Sequence, residues 1–79
     1  MSEDKGYRDI QNFARNVRTW REERGVTVEE LAQATNIAVD ILRQVESGEL
    51  PETLYADDLI SLCRYFHKKP YEFFEDKKA

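Results

Sequence analysis

Residues 25–48 of this chain read GVTVEELAQATNIAVDILRQVESG and decide its fold. Thr27 and Glu30 have the spacing of a capping box, in which a hydroxyl and a carboxylate satisfy free amides at the start of a helix. Asn36 fits a tight turn, because Asn adopts the left-handed backbone conformation more readily than most residues with a side chain. Gly48 fits the left-handed residue that ends a helix. The stretch therefore predicts two short helices joined by a tight turn.

Three more helices are predicted outside this stretch, which makes the fold class all-α. The first carries an apolar stripe at helical spacing and ends before Gly25. The fourth begins at about Tyr55, and the short fifth begins at Pro70, a residue that suits the first position of a helix. The residues predicted to face the core are Ile10, Phe13, Ala14, Val17, Trp20, Leu31, Ala32, Thr35, Ile37, Leu42, Val45, Tyr55, Leu59, Leu62, Cys63, Phe66 and Phe73. Tyr71 and Phe74 are expected either to close the core or to contribute to a dimer contact.

The length of 79 residues suits one small domain, which buries about 60% of the surface that its unfolded chain exposes. A composition of 41% hydrophobic and 35% charged residues, with three Gly and two Pro, is typical of a helical globule rather than a disordered chain. We expect a flexible N-terminal segment over residues 1–8, the domain over residues 9–75 and a frayed tail over residues 76–79.

Several function classes are disfavoured by composition. No apolar run approaches the ~20 residues of a membrane span, and the polar N-terminus resembles no signal peptide, so we expect a cytoplasmic protein without membrane contact. The single Cys63 excludes an internal disulfide, and with the single His67 it gives too few ligands for structural zinc. Cys63 lies on an apolar stripe and His67 near a helix end. We therefore predict no enzyme, no catalytic residue, no metal and no cofactor.

The scaffold positions together resemble the phage repressor and Cro family of DNA-binding domains, also called the XRE family, from about residue 13 to residue 74. The resemblance implies a compact, five-helix, lambda-repressor-like domain in which helices 2 and 3 form a helix-turn-helix. It also implies that helix 3 enters the DNA major groove. The positions that carry the resemblance are Val17, Trp20, Arg21, Gly25, Val26, Thr27, Leu31, Ala32, Ile37, Leu42, Val45, Glu46, Gly48, Leu62, Cys63, Phe66, Phe73 and Phe74.

The resemblance pairs Arg21, in the first helix, with Glu46, at the end of the third. We interpret this pair as a partly buried structural ion pair and not as a ligand contact. Removing one partner of such a pair leaves a poorly solvated charge, which costs on the order of 3–5 kcal/mol.

The exposed positions depart from the family. Val28 stands where the family usually has a phosphate-supporting glutamine, and Ala38 replaces a hydroxyl residue that caps helix 3. Glu49 and Glu52 lie in a loop that family members often make basic. The residues that the resemblance leaves for DNA contact are Arg43 first and Gln44 second, then Asp40 toward a cytosine amino group, Val39 or Ile41 toward thymine methyls, and Ala38 and Thr27 at the helix starts.

The charge distribution is unusual for a DNA-reading surface. Between residues 26 and 60 there are eight acidic residues against Arg43 alone, a net charge of −7 within a chain whose total is −4. Because phosphate neutralisation supplies most non-specific affinity, we expect weak binding by one copy unless other bases steer the DNA. The candidates for steering are Arg15, Arg18, Arg24, Lys68 and Lys69.

Two functions remain open from the sequence. The first is a sequence-specific transcriptional regulator, a repressor or an antitoxin, that binds double-stranded DNA as a homodimer through a contact involving Tyr71 or Phe74. The alternative is a helix-turn-helix scaffold that contacts a protein partner through an apolar spot at Val39 and Ile41. The exposure of these two residues separates the alternatives, because Ile41 is also able to lean on helix 2.

Overall fold

Five α-helices form the fold of this protein, for which the computed structural model describes the backbone of residues 2–76 and the side chains of residues 8–76. The predicted all-α class is confirmed, and residues 2–76 contain no β-strand. The Cα radius of gyration is 11.9 Å, close to the ~12 Å expected of a globular chain of this length. The helices are α1 (Ser2–Glu23), α2 (Val28–Thr35), α3 (Val39–Glu46), α4 (Ala56–Phe66) and α5 (Pro70–Phe73).

Helix α1 begins earlier than the sequence predicts. Residues 2–8, expected to be a flexible segment before the domain, have helical backbone that continues α1 back to Ser2. No proline interrupts residues 2–23, and a helix that has nucleated extends at the gain of one hydrogen bond per residue. Residue 1 and residues 77–79 of the predicted tail lie outside the described residues.

The start of α2 and the turn into α3 form as predicted. The Thr27 hydroxyl accepts a hydrogen bond from the Glu30 amide at 3.0 Å, and the Glu30 carboxylate accepts one from the Thr27 amide at 2.8 Å. Asn36 has φ of 60° and donates its amide to the Ala32 carbonyl. These local bonds fix where α2 begins and ends, and they set the direction in which α3 leaves the turn.

The core lies where the five helices pack against one another. Helix α1 contacts α3 and α5, α2 contacts α3 and α4, and α4 contacts α5. The Trp20 ring meets Phe73 edge-on at 4.9 Å between centroids, which joins α1 to α5. The residues of the buried cluster are Phe13, Val17, Leu31, Ala32, Ile37, Leu42, Val45, Leu62, Phe66 and Phe73.

Tyr55, which the sequence places on the core face of the fourth helix, is exposed instead. Tyr55 is 66% exposed, because it precedes α4 as its N-cap residue, where the spacing rule of the helix does not apply. Its amide donates to the Asp58 carboxylate at 3.0 Å. Tyr71 is 59% exposed on α5, and Phe74, at 37%, is only partly covered. The start of the fourth helix therefore carries more exposed aromatic surface than predicted, and the exposure of Tyr71 fits the expectation that left it available for a contact.

Two buried asparagines of α1 hold the end of α5. The Asn16 amide group donates to the carbonyls of Phe73, Glu72 and Glu75 at 2.8, 3.2 and 3.0 Å. Asn12 donates to the Phe74 carbonyl at 3.0 Å. The last carbonyls of a helix have no partner within the helix, so these bonds satisfy groups that burial would otherwise leave unpaired. They also fix Phe74 beside α1.

Candidate nucleic-acid interface

Helix α3 has one inward side and one exposed side. Leu42 and Val45 are fully buried in the core. Val39 and Ile41 are half-buried and pack against the same core. The residues on the exposed side are small or polar: Ala38 at the N-cap, then Asp40, Arg43, Gln44 and Ser47. The structure therefore brings Asp40, Arg43 and Gln44 to one exposed face of this helix.

The half-burial of Val39 and Ile41 bears on the choice between the two functions. The alternative of a protein contact on α3 requires both side chains to form an exposed apolar spot. Both instead lean on the core cluster, as does Val28 at the start of α2. No exposed large hydrophobic residue lies on α3. The exposed face of α3 is therefore polar, not an apolar centre with a polar rim.

The helix starts differ in their capping. In the capping box the Thr27 hydroxyl accepts a hydrogen bond from the Glu30 amide, so this hydroxyl is already bonded within the chain. Ala38, at the N-cap of α3, makes no side-chain hydrogen bond. The amides of the first turn of a helix have no intrahelical partner, and in α3 Ala38 supplies no side-chain oxygen to them.

Arg43 is joined to α2 through a hydrogen-bonded ion pair with Glu29. The side chains are 57% and 61% exposed, so water and salt reach both. Arg43 is the only base between residues 26 and 60. The contact with Glu29 therefore places a negative charge beside the one positive charge of this segment. Sequence reasoning missed the pair, because helix spacing rules cover residues three or four apart within one helix and these residues lie on two helices.

Arg21 and Glu46 form a second, buried ion pair. Arg21 Nε donates to Glu46 Oε2 at 2.7 Å, and Arg21 Nη2 donates to Oε1 at 3.0 Å. The remaining terminal nitrogen, Nη1, donates to the Val26 carbonyl at 2.9 Å. The hydrogen bond with Glu46 holds the pKa of Arg21 above its ordinary value, against the effect of burial. One guanidinium thus ties the end of α1 to the end of α3 and to the segment before α2.

A comparison with known protein families identifies the kind of domain that these helices form. Residues 12–68 match the model of a helix-turn-helix domain, which covers most of the chain, from within α1 to just beyond α4. The chain belongs to this helix-turn-helix family. No curated protein and no solved structure was found to match it. Domains of this kind place their second motif helix in the DNA major groove.

A positive edge of the helix-turn-helix domain lies beside the C-terminal end of α3. Arg18 is exposed and donates to the Glu46 carbonyl at 3.3 Å. Arg15 contacts Asn12 at 2.8 Å and Asp76 at 3.2 Å, so part of its charge is neutralised. These two arginines, with Ser47 and others, line an open cavity of about 240 Å³.

Other bases expected to steer DNA have different neighbours in this domain. The Arg24 guanidinium lies 5.0 Å from the centroid of the Tyr65 ring, and the Lys68 ammonium lies 4.9 Å from that of Trp20. Such cation–π contacts hold these side chains over the aromatic rings between α1 and α4. The candidates for steering beside α3 are therefore Arg15 and Arg18.

The single cysteine and the single histidine of the chain lie on or next to α4. Cys63 is partly buried against the core, and burial, helped by the charge of Glu72, raises the pKa of its thiol. A raised pKa keeps the thiol protonated and unreactive. His67 adopts a left-handed conformation at the end of α4, with φ of 58°. Within residues 8–76, no three His, Cys, Asp or Glu side chains come together to hold a metal ion.

Proposed function

We propose that this helix-turn-helix domain is a sequence-specific, DNA-binding transcriptional regulator of the phage repressor and Cro (XRE) kind, a repressor or an antitoxin. The observation that carries the proposal is the exposed side of α3, where Arg43 and Gln44 lie side by side with Asp40 while the apolar residues of the same helix turn inward. In the proposed complex α3 lies in the major groove of double-stranded DNA.

Each exposed residue has a proposed role. Arg43 binds a guanine edge or a phosphate, Gln44 reads a neighbouring base, and Asp40 accepts from a cytosine amino group. Val39 reaches a thymine methyl only with the half of its side chain that the core leaves free. Thr27 and Ala38 mark the helix starts. The first-turn amides of α3 have no side-chain cap and favour phosphate, whereas at the start of α2 the capping box already bonds the Glu30 amide.

The acidic surroundings limit the affinity of one copy. Residues 26–60 carry a net charge of −7, and the exposed Arg43 is already paired with Glu29. Arg15 and Arg18, beside the end of α3, supply the proposed positive edge for phosphates. We further propose that two copies bind a palindromic site, since doubling the contacts multiplies the effective affinity. Of the two residues expected at a dimer contact, Tyr71 is 59% exposed and Phe74 37%, so Tyr71 on α5 is the first candidate and Phe74 the second.

Fluorescence anisotropy with labelled DNA fragments tests the proposal. The fragments cover the genome and include the promoter of the protein's own gene, and each is titrated at two salt concentrations. We expect specific binding that weakens with salt and that Arg43→Ala reduces by about 1–3 kcal/mol per site. Arg64→Ala, which removes an exposed base from α4, is the matched control and is expected to retain specific binding.

Two outcomes contradict the proposal. Absence of any binding at low salt removes DNA as the ligand. Equal loss for Arg43→Ala and Arg64→Ala means that total charge, and not the α3 face, determines the binding. The alternative of a protein contact through Val39 and Ile41 has no supporting observation on α3, because both residues pack against the core.

A further inference from the structure

An exposed apolar surface lies just beyond α3, in the loop that leads to α4. Leu50 in this loop is 55% exposed, and Tyr55 at its end is 66% exposed. Together with Leu54, Leu59 and Phe74 they line an open cavity of about 210 Å³. Apolar side chains clustered in this way mark contact surfaces, whereas single exposed apolar residues do not. We name this surface the loop groove.

The base and one wall of the loop groove are firmly held. Phe13 is buried beneath it, and the Phe74 ring stacks on Phe13 at 5.3 Å between centroids. Asn12 fixes the backbone of Phe74 through its carbonyl. The Tyr55 amide is bonded to Asp58, which caps α4. The groove is therefore preformed on two sides, so a ligand does not have to order them on binding.

Four described residues that neighbour the lining of the loop groove in the chain are acidic. Glu49 and Glu52 flank Leu50 in the chain, Asp57 lies at the start of α4, and Glu75 follows Phe74, and all four are exposed. No lysine, arginine or histidine occurs between residues 44 and 63. Among the described residues, none of these four carboxylates makes an ion pair. Within the part of the chain that the structure describes, the rim is thus acidic and its four carboxylates are unpaired.

Among the described residues, Arg15 on α1 is a base beside Phe74, because both bond to the Asn12 side chain. Arg15 pairs with Asp76, which neutralises part of its charge, and with none of these four carboxylates. Arg8 precedes Phe13 by five residues, which places it about 140° away around the axis of α1. A second copy of this chain brings its own acidic rim, and a two-fold contact here sets like charges against each other, which opposes association.

We propose that the loop groove binds a basic, amphipathic helical segment of another protein, with apolar side chains in the groove and lysine or arginine against the rim. An apolar helix face laid in a groove is an established mode of peptide recognition, and the acidic rim selects the charge of the partner. This surface is separate from the exposed side of α3, so its role does not depend on DNA binding.

Synthetic peptides test the proposal with the full-length protein. The first has about 16 residues, with leucines spaced i, i+3, i+4 and i+7 and lysines elsewhere. The second has glutamate for lysine, and the third is a scramble of the first with the same composition. Isothermal titration at about 0.1 M salt is expected to give at least about tenfold tighter binding for the first peptide than for either of the others.

Protein variants locate the binding. Leu50→Gln removes an apolar wall without changing charge and is expected to weaken the lysine peptide about tenfold. Ile60→Gln is the matched control, because Ile60 is 48% exposed on α4 but does not line the groove, and it is expected to bind as the wild type does. Both variants change exposed residues, and their thermal unfolding verifies that the fold is retained.

Three results overturn the proposal. Equal binding of the lysine peptide and its scramble shows a diffuse charge effect without a groove. Equal binding by Leu50→Gln and wild type shows that the peptide lies elsewhere. A dimer in analytical ultracentrifugation that Leu50→Gln dissociates shows that a second copy fills the groove instead. None of these readouts involves DNA, so they fail or succeed independently of the DNA titrations.

Discussion

Two arginine–glutamate pairs join helices of this domain, and they differ in the water around them. Arg21 and Glu46 are side chains of only 14% and 9% exposure, joined by two hydrogen bonds. Arg43 and Glu29 are more than half exposed and joined by one contact. The chemistry is the same in both pairs. Burial makes the Arg21–Glu46 pair part of the scaffold. Exposure leaves Arg43 free to exchange Glu29 for another partner.

The energetic reason lies in desolvation. A buried charge that loses its partner remains in a poorly solvated site, so breaking the pair is costly even if forming it gains little. An exposed charge that loses its partner is solvated at once, and exposed pairs contribute only about 0–1 kcal/mol. Arg43 can therefore leave Glu29 for a phosphate or a base at little cost, whereas Arg21 cannot leave Glu46.

The largest predicted effect is the loss of the buried pair. Glu46→Ala leaves the Arg21 guanidinium without its carboxylate and is expected to destabilise the domain by about 3–5 kcal/mol. In a domain of this size the melting temperature then falls by more than about 12 °C, which thermal unfolding followed by circular dichroism measures. Glu49→Ala, at an exposed position three residues later, is the control. An unchanged melting temperature for Glu46→Ala contradicts the scaffold role.

A smaller effect is predicted when the charge is kept and the geometry is lost. Arg21→Lys retains the positive charge, but an ammonium group cannot bond both oxygens of Glu46 and the Val26 carbonyl in the planar fork that the guanidinium provides. We expect a loss of about 1.5–3 kcal/mol, measured by urea unfolding. Wild-type stability in this variant means that charge alone, without the fork, holds the three segments together.

The scaffold was predictable from the sequence because its signals are local. The capping box at Thr27 and Glu30, the left-handed turn at Asn36 and the apolar spacing of α1 each depend on residues a few positions apart. Contacts between distant parts of the chain have no such signal. The bonds of Asn16 to the end of α5 join residues more than 50 positions apart, and no spacing rule predicts them.

Only part of the candidate site was predictable from the sequence, for the same reason. The exposure of Arg43 and Gln44 on α3 was predictable because their place in the motif fixes which side of the helix they lie on; their contact with DNA stays a prediction. The half-burial of Val39 follows from its packing against the core cluster. The exposure of Tyr55 follows from a helix that begins one residue later than its apolar spacing suggests. The pairing of Arg43 with Glu29 was not predictable from spacing, because it depends on how α2 and α3 lie next to each other.

A weak, salt-sensitive coupling is predicted for the exposed pair. In a double-mutant cycle with Glu29→Gln and Arg43→Gln, the interaction energy for unfolding is expected to be about 0.2–1 kcal/mol and to vanish in ~1 M salt, where the Debye length is about 3 Å. The same cycle on Arg21 and Glu46 is expected to retain its coupling at high salt. Equal salt dependence of the two cycles removes the distinction between the pairs.

The smallest predicted effect is a gain of DNA affinity when the exposed pair is opened. Glu29→Gln removes the carboxylate that binds Arg43, so Arg43 no longer has to give up this contact in order to meet DNA. Since the pair is worth at most about 1 kcal/mol, we expect binding to tighten by about two- to fivefold. If the freed Arg43 takes up one more phosphate, the slope of log affinity against log salt becomes steeper by about 0.9.

The control for this gain is Glu52→Gln, which removes one exposed negative charge at a residue that makes no ion pair among the described residues. It measures the part of the gain that comes from net charge alone. In an Arg43→Ala background, Glu29→Gln is expected to give no more than this control does. If Glu29→Gln tightens binding equally with and without Arg43, Glu29 acts only through repulsion of the DNA and the pair does not regulate Arg43.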